Sequence, residues 1–131
     1  MKKILTYHSQ EEMISSTAAQ FISIGLAAIQ DRDQFSVTLS GGNTPKPLYE
    51  ILAGPDADIL DWDKVHFFWG DERCVPLNHP DSNFNQANQI LLLPRSIKDE
   101  NIHRIKTELN PKESAQQYQE EILSYFQGNI P

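Results

Sequence analysis

Two short stretches of this sequence combine residue types that could carry out chemistry. Residues 40–44 (SGGNT) contain two adjacent glycines, and residues 71–73 (DER) place two carboxylates beside a guanidinium. Glycine lets the backbone approach a ligand closely, and the amides of residues 42–44 and Lys46 lie where a helix is predicted to begin, which favours an anion. A guanidinium can bind a phosphate or carboxyl oxygen, and a carboxylate can orient a hydroxyl or a base. The pattern predicts a site for an anionic ligand.

Each stretch also has a plain structural interpretation. Gly41 and Gly42 are typical of a tight turn, with Thr44 as the cap of the following helix. Residues 71–73 are equally typical of a solvated charged loop. The first stretch lacks both the Gly-Lys-Ser/Thr ending and the spaced glycines of nucleotide-binding loops, so nucleotide binding of those kinds is not supported.

The cysteine and histidines are weaker candidates. Cys74 is the single cysteine, which excludes an internal disulfide and favours a reducing, cytoplasmic setting. No histidine and acid are spaced to activate Cys74, which is interpreted as a packed small residue. His79 is a candidate for substrate contact, whereas His66, inside an apolar run, is typical of a satisfied core histidine. The histidines show no metal-ligand spacing, and no metal site is predicted.

Hydrophobic periodicity predicts the elements that position these stretches. Apolar residues at three- and four-residue spacing predict a helix between Ser9 and Asp33, with Ser9 and Glu12 as a capping box. Thr44 is the predicted N-cap of a second helix, and Gly128 is the predicted cap at the end of the last one. The predicted strands are 35–39, 65–69 and 102–105, and the other predicted helices run from 45 to Gly54, from about 82 to 93 and from 110 onward.

Strands that alternate with helices predict an α/β fold, here a Rossmann-like, mostly parallel sheet with helices on both faces. The length of 131 residues predicts a single domain over residues 1–131. In such sheets ligands bind beyond the carboxyl ends of the strands, so both loops should face one crevice. Residues 129–131 end the chain where another strand is expected, which predicts truncation before the C-terminal strands.

Charge and hydropathy exclude some classes of partner. A net charge of −7 argues against a nucleic-acid surface, because binding the phosphate backbone requires an excess of clustered Lys and Arg. No segment is expected to approach a membrane span, so the protein is predicted to be soluble and cytoplasmic. An anionic ligand must therefore be held by a local pocket.

Residues 39–45 (LSGGNTP), 69–76 (WGDERCVP) and 79–83 (HPDSN), in this order and spacing, resemble the 6-phosphogluconolactonase family. The resemblance implies hydrolysis of 6-phosphoglucono-1,5-lactone to 6-phosphogluconate in the oxidative pentose phosphate pathway, with no cofactor and no metal. It implies a catalytic role for Asp71 and Arg73. It also implies that the substrate phosphate is bound by Ser40, Gly41, Gly42, Asn43 and Thr44.

The sequence departs from the family pattern in two ways. Asn43 stands where the family often has serine, which preserves a backbone contact but not a hydroxyl contact. The catalytic histidine of the family lies in a later Gly-His-Thr-Ala-Ser-Leu-Phe-Pro-like stretch, which nothing in residues 1–131 matches. We therefore expect an N-terminal portion of a longer lactonase domain that is inactive alone and self-associates through surfaces exposed by truncation.

Two other functions fit the same residues. A glucosamine-6-phosphate deaminase or isomerase of the same fold would use Asp71 to move a proton, although its second motif has an Asp-Glu-Tyr character, and Arg73 with Ser82 and Asn83 favours the lactonase. A non-catalytic sugar-phosphate-binding module would account for the missing histidine stretch.

Overall fold

Among the described residues, three short strands form a parallel sheet, as predicted, and they lie in the order β1-β2-β3, which the sequence alone did not indicate. They are β1 (Phe35–Leu39), β2 (Val65–Trp69) and β3 (Ile102–His103). Leu39 of β1 lies opposite Trp69 of β2, so these two strands end level with one another. The structure is a computed structural model that describes residues 2–127.

Within residues 2–127, four α-helices accompany the sheet, and their bounds agree closely with the periodicity of the sequence. They are α1 (Gln10–Arg32), α2 (Lys46–Ala53), α3 (Asn83–Ala87) and α4 (Pro111–Tyr125). After α3 the chain continues directly into a π-helical segment, Asn88–Leu92, so the predicted helix is present but changes its hydrogen-bond pattern halfway.

The start of α1 confirms the predicted capping box. The Glu12 N–H donates to Ser9 Oγ at 3.1 Å, and the Glu12 carboxylate accepts from the His8 N–H at 3.0 Å. The first bond satisfies an amide that a helix start otherwise leaves without a partner, and the second ties the residue before the N-cap to the first turn.

Caps were predicted for the start of α2 and for the end of α4. Thr44 is not the N-cap of α2. Pro45 is the N-cap, because its carbonyl accepts the first helical bond, from the Tyr49 N–H at 3.0 Å, and no side chain caps this end of the helix. At the end of α4, Phe126 is the C-cap. Gly128, the predicted cap, lies outside the described residues.

Strand β3 is shorter than predicted, and Tyr118 of α4 supplies the reason. Its hydroxyl accepts from the Trp69 N–H and donates to the Trp69 carbonyl, both at 2.9 Å. The backbone groups that would continue the pairing of β2 with β3 beyond His103 are therefore bound by a side chain.

Helices cover both faces of the sheet, as predicted. On one face Phe67 stacks on Trp62 with ring centroids 6.3 Å apart, within the core that also includes buried residues of α1 and α2. On the opposite face Phe68 contacts Tyr125 of α4, with centroids 5.1 Å apart. Alternating side chains of β2 are thus buried on both sides, as in a parallel sheet.

Helix α1 corrects one expectation. By length and composition alone it is apolar enough to cross a membrane, although no such segment was expected. A core helix satisfies the same criterion, although only 22% of the apolar window of α1 is buried. The residues that α1 buries are Ile14, Ala18, Gly25 and Ala28.

His66 is a satisfied histidine, as predicted. Its Nδ1 lies 3.1 Å from Nε2 of His103, whose Nδ1 lies 2.8 Å from the carboxylate of Glu121. Burial, and then the neighbouring His103, lower the pKa of His66 below its ordinary value, against an opposing effect of Glu100.

Candidate functional site

The two loops predicted to share a crevice do share one. The Gly70 N–H donates to the Leu39 carbonyl at 3.3 Å, which holds the ends of β1 and β2 together. Beyond this edge a polar pocket of about 190 Å³ is lined by both loops and by the segment that leads into α3. Its lining residues are Gly42, Asn43, Lys46, Arg73, Pro80, Asp81, Asn83 and Gln86.

Tyr49 of α2 fixes the start of the first loop. Its hydroxyl accepts from the Ser40 N–H at 3.1 Å and donates to the Ser40 carbonyl at 2.6 Å. Burial raises the pKa of Tyr49, against the opposing effect of the bond to Ser40. The phenol therefore remains protonated and able to donate at neutral pH.

Gly41 and Gly42 are needed for different physical reasons. A Cβ at Gly41 would lie 1.7 Å from Oδ1 of Asn83, so the side chain of Asn83 occupies the space a larger residue would need. Gly42 has open space around it but a φ of +87°, a conformation that L-residues rarely adopt. The pair is therefore more than a generic turn, because one glycine accommodates a neighbouring side chain and the other directs the backbone.

The backbone amides of the first loop are available to a ligand. Within residues 2–127, no protein group accepts a hydrogen bond from the N–H groups of residues 41–44. These amides precede α2, whose dipole is positive at this end. The arrangement can bind an anion.

Charge in the pocket favours an anion as well. Lys46 and Arg73 both line it, and among the described residues 2–127 neither forms an ion pair. The carboxylate in the lining is Asp81, which lies 3.8 Å from Nδ1 of His79. Two cations facing one anion make this pocket locally positive in a chain of net charge −7.

Glu72 has a structural role that its sequence position does not reveal. Its carboxylate accepts from the N–H groups of Asn83 at 2.7 Å and Phe84 at 2.8 Å, and from the Ser82 hydroxyl at 3.2 Å. It thereby holds the first turn of α3 against the second loop. Of the two carboxylates in this loop, that of Glu72 is engaged in these hydrogen bonds, so Asp71 remains the candidate for a catalytic role.

Asp71 and Arg73 do not occupy equivalent positions. Arg73 lines the pocket, whereas Asp71 is not among its lining residues and is connected to it through Asn83, whose Nδ2 donates to the Asp71 Oδ1 at 3.2 Å. Of the predicted anion-binding residues, Gly42 and Asn43 line the pocket, whereas Ser40, Gly41 and Thr44 belong to the same loop but are not among its lining residues.

Two weaker candidates are placed differently. Cys74 is exposed, so its interpretation as a packed residue is wrong. His79 is half-buried beside the pocket, where Nδ1 accepts from the Asp81 N–H at 3.1 Å. In the part of the chain that the structure describes, no group of three or more His, Cys, Asp or Glu side chains could hold a metal ion.

Five of the eight pocket residues were not predicted to be site residues. Pro80, Asp81 and Asn83 belong to the stretch 79–83 that carries the family resemblance, whereas the side chains of Lys46 and Gln86 were missed altogether. The side chain of Lys46 was unexpected because only its amide is part of the loop pattern, and Gln86 carries no signal because glutamine is ordinary on a helix. Both are recognised only once the sheet edge is formed.

Residues 8–131 match the family described as glucosamine-6-phosphate isomerases/6-phosphogluconolactonase. A 6-phosphogluconolactonase of Synechocystis is 48% identical over 108 residues, which cover 79% of this chain and 44% of that protein. The chain spans about half the length of the curated relatives it matches.

Solved structures share the fold. A 6-phosphogluconolactonase from Trypanosoma cruzi superposes with a TM-score of 0.84 at 29% identity, over 100% of this chain and 53% of that one. A monomeric glucosamine-6-phosphate deaminase superposes with a TM-score of 0.80 over 95% of this chain and 51% of that one. At 16% identity the latter likeness concerns the fold alone.

Proposed function

Since the chain belongs to the glucosamine-6-phosphate isomerase/6-phosphogluconolactonase family, we propose that this protein acts as a 6-phosphogluconolactonase. The reaction is hydrolysis of 6-phosphoglucono-1,5-lactone to 6-phosphogluconate, as in the oxidative pentose phosphate pathway. The observation that carries the proposal is the pocket in which the amide loop, Lys46 and Arg73 meet.

The first loop is proposed to anchor the substrate phosphate. The amides of residues 41–44 have no protein acceptor among residues 2–127, and Lys46 adds a positive charge beside them. Anchoring the phosphate fixes the lactone ring relative to the second loop, which lowers the entropic cost of reaching the transition state.

Arg73 and Asp71 are proposed to act at the lactone. Opening an ester requires a water activated by a base, and donors for the charge that develops on the carbonyl oxygen. The Arg73 guanidinium can stabilise that charge, and Asp71, held by Asn83, can orient the water or a base. The expectation that residues 1–131 alone are inactive stays a prediction, as do the cytoplasmic location and the self-association.

Kinetics of single variants test the proposal. We expect Arg73→Ala to lower kcat/KM for the lactone by roughly a hundredfold or more, because charge stabilisation in the transition state is lost. Lys46→Ala should raise KM by about tenfold through weaker phosphate binding. Lys112→Ala, which removes an exposed lysine of α4, is the matched control.

Hydrolysis must be corrected for spontaneous ring opening and measured in the protein at its natural length. Melting temperatures near the wild-type value would separate a role in the site from a role in folding. Turnover of glucosamine 6-phosphate in place of the lactone would support the deaminase alternative. Phosphate binding without either activity would support a non-catalytic binding module.

A further inference from the structure

The first turn of α3 and the residues after it contact both loops of the candidate site. Asn83 Nδ2 donates to the carbonyl and to Oδ1 of Asp71, both at 3.2 Å. Gln86 Nε2 donates to the Gly42 carbonyl at 2.6 Å. Asn83 is only 4% exposed, and its side-chain amide lies against Gly41. One short helix therefore touches the anion loop and the loop that carries the catalytic candidates.

Hydrogen bonds hold the start of helix α3 against the second loop. The carboxylate of Glu72 accepts from the N–H groups of Asn83 and Phe84, and the Ser82 hydroxyl caps the helix by accepting from the Asn85 N–H at 3.1 Å. The contacts therefore run without a break from the second loop through α3 to the first loop.

The bond from Gln86 has a geometric consequence for the anion loop. The Gly42 carbonyl and the Asn43 N–H belong to one planar trans peptide, so they point in opposite directions. Glycine at position 42 has more accessible backbone conformations than any other residue would have. A hydrogen bond that fixes the Gly42 carbonyl therefore also fixes the direction of the Asn43 amide.

We infer that α3 fixes the positions of the two loops relative to one another. Gln86 is the positioning residue for the Asn43 amide, and Asn83 is the positioning residue for the Asp71 carboxylate. Neither side chain has to touch the reacting atoms. The inference rests on the proposed function only in taking the anion at the first loop to be the substrate phosphate.

The decisive variant is Gln86→Met, which keeps the length of the side chain and removes the donor. Gln89→Met is the matched control, because Gln89 is exposed in the segment that follows α3. In the protein at its natural length, amide resonances are recorded without ligand and during titration with inorganic phosphate. We expect Gln86→Met to shift the free Asn43 resonance and to weaken phosphate binding roughly two- to tenfold, as for the loss of one hydrogen bond.

Gln89→Met should leave both quantities unchanged, and both variants should melt near the wild-type temperature. An unchanged Asn43 resonance in Gln86→Met would overturn the inference, whether or not phosphate binds. A shifted Asn43 resonance in a protein without lactonase activity would support the inference and count against the proposed function. The two ideas can therefore fail separately.

Kinetics provide a second readout. Gln86→Met should raise KM for the lactone with little change in kcat, whereas Asn83→Ser should lower kcat, because Asp71 loses its donor. Asn83 is buried, so its replacement should also lower the free energy of unfolding, and the test of Gln86 stands independently of it. Equal effects of Gln86→Met and Gln89→Met on KM would overturn the role of Gln86.

Discussion

The contact between Gly41 and Asn83 allows a quantitative prediction about Gly41→Ala. The added Cβ would lie 1.7 Å from Oδ1 and 2.3 Å from Cγ of Asn83. Ordinary contact begins near 3.4 Å, so the Oδ1 of Asn83 must move by roughly the difference between 3.4 and 1.7 Å. At 3.2 Å its two bonds to Asp71 cannot stretch that far and should break. Buried polar groups left without partners cost about 1–3 kcal/mol, and overpacking costs about 1–3 kcal/mol more.

We therefore expect Gly41→Ala to lower the free energy of unfolding by about 3 kcal/mol. The expectation is different when Asn83 is replaced by alanine, because the three atoms closest to the new Cβ are then absent. In that background Gly41→Ala should cost less than about 1 kcal/mol, so the two substitutions should be strongly non-additive.

Gly42→Ala is the matched control. A Cβ at Gly42 meets nothing within 4 Å, and its cost comes from the φ of +87° alone. That cost should be about 1–2 kcal/mol and the same with or without the Asn83 side chain. Urea unfolding followed by tryptophan fluorescence measures all six proteins. If Gly41→Ala costs as much in the Asn83→Ala background as in the wild type, the steric explanation is wrong.

Two further predictions concern the hydroxyl of Tyr49 and the imidazole of His66. Tyr49→Phe should lower the free energy of unfolding by about 1–3 kcal/mol, because Ser40 loses the partner of both its N–H and its carbonyl, and a urea midpoint equal to that of wild type would contradict this. Burial lowers the pKa of His66 in the folded state. The contribution of His66 to the free energy of unfolding should therefore be fully present above the ordinary histidine pKa of about 6.5, and it should be lost as the pH falls through the folded-state pKa. Urea unfolding at several pH values should show that acidification lowers the free energy of unfolding less in His66→Gln than in the wild type. Identical pH profiles for the two proteins would refute the assignment.

Much of the fold could be predicted from the sequence because its signals are local. The capping box of Ser9 and Glu12 and the bounds of β1 and β2 depend on residues within a few positions of one another. The parallel sheet followed from the alternation of these elements, and the two loops were recognised because each directly follows a strand. Local reasoning failed for Thr44, because α2 begins one residue later than the pattern indicated, and for the length of β3, because the distant side chain of Tyr118 binds the backbone of Trp69.

Tertiary structure alone decided which residue of the site has which role. The two carboxylates Asp71 and Glu72 are adjacent in sequence, yet only the folded chain shows that Glu72 holds α3. Likewise, Gln86 reaches Gly42 across 44 positions of the chain. Such contacts arise because β1 and β2 end level with one another and α3 returns over that edge. No local pattern encodes them, since their energy depends on distances that exist only after the sheet has formed.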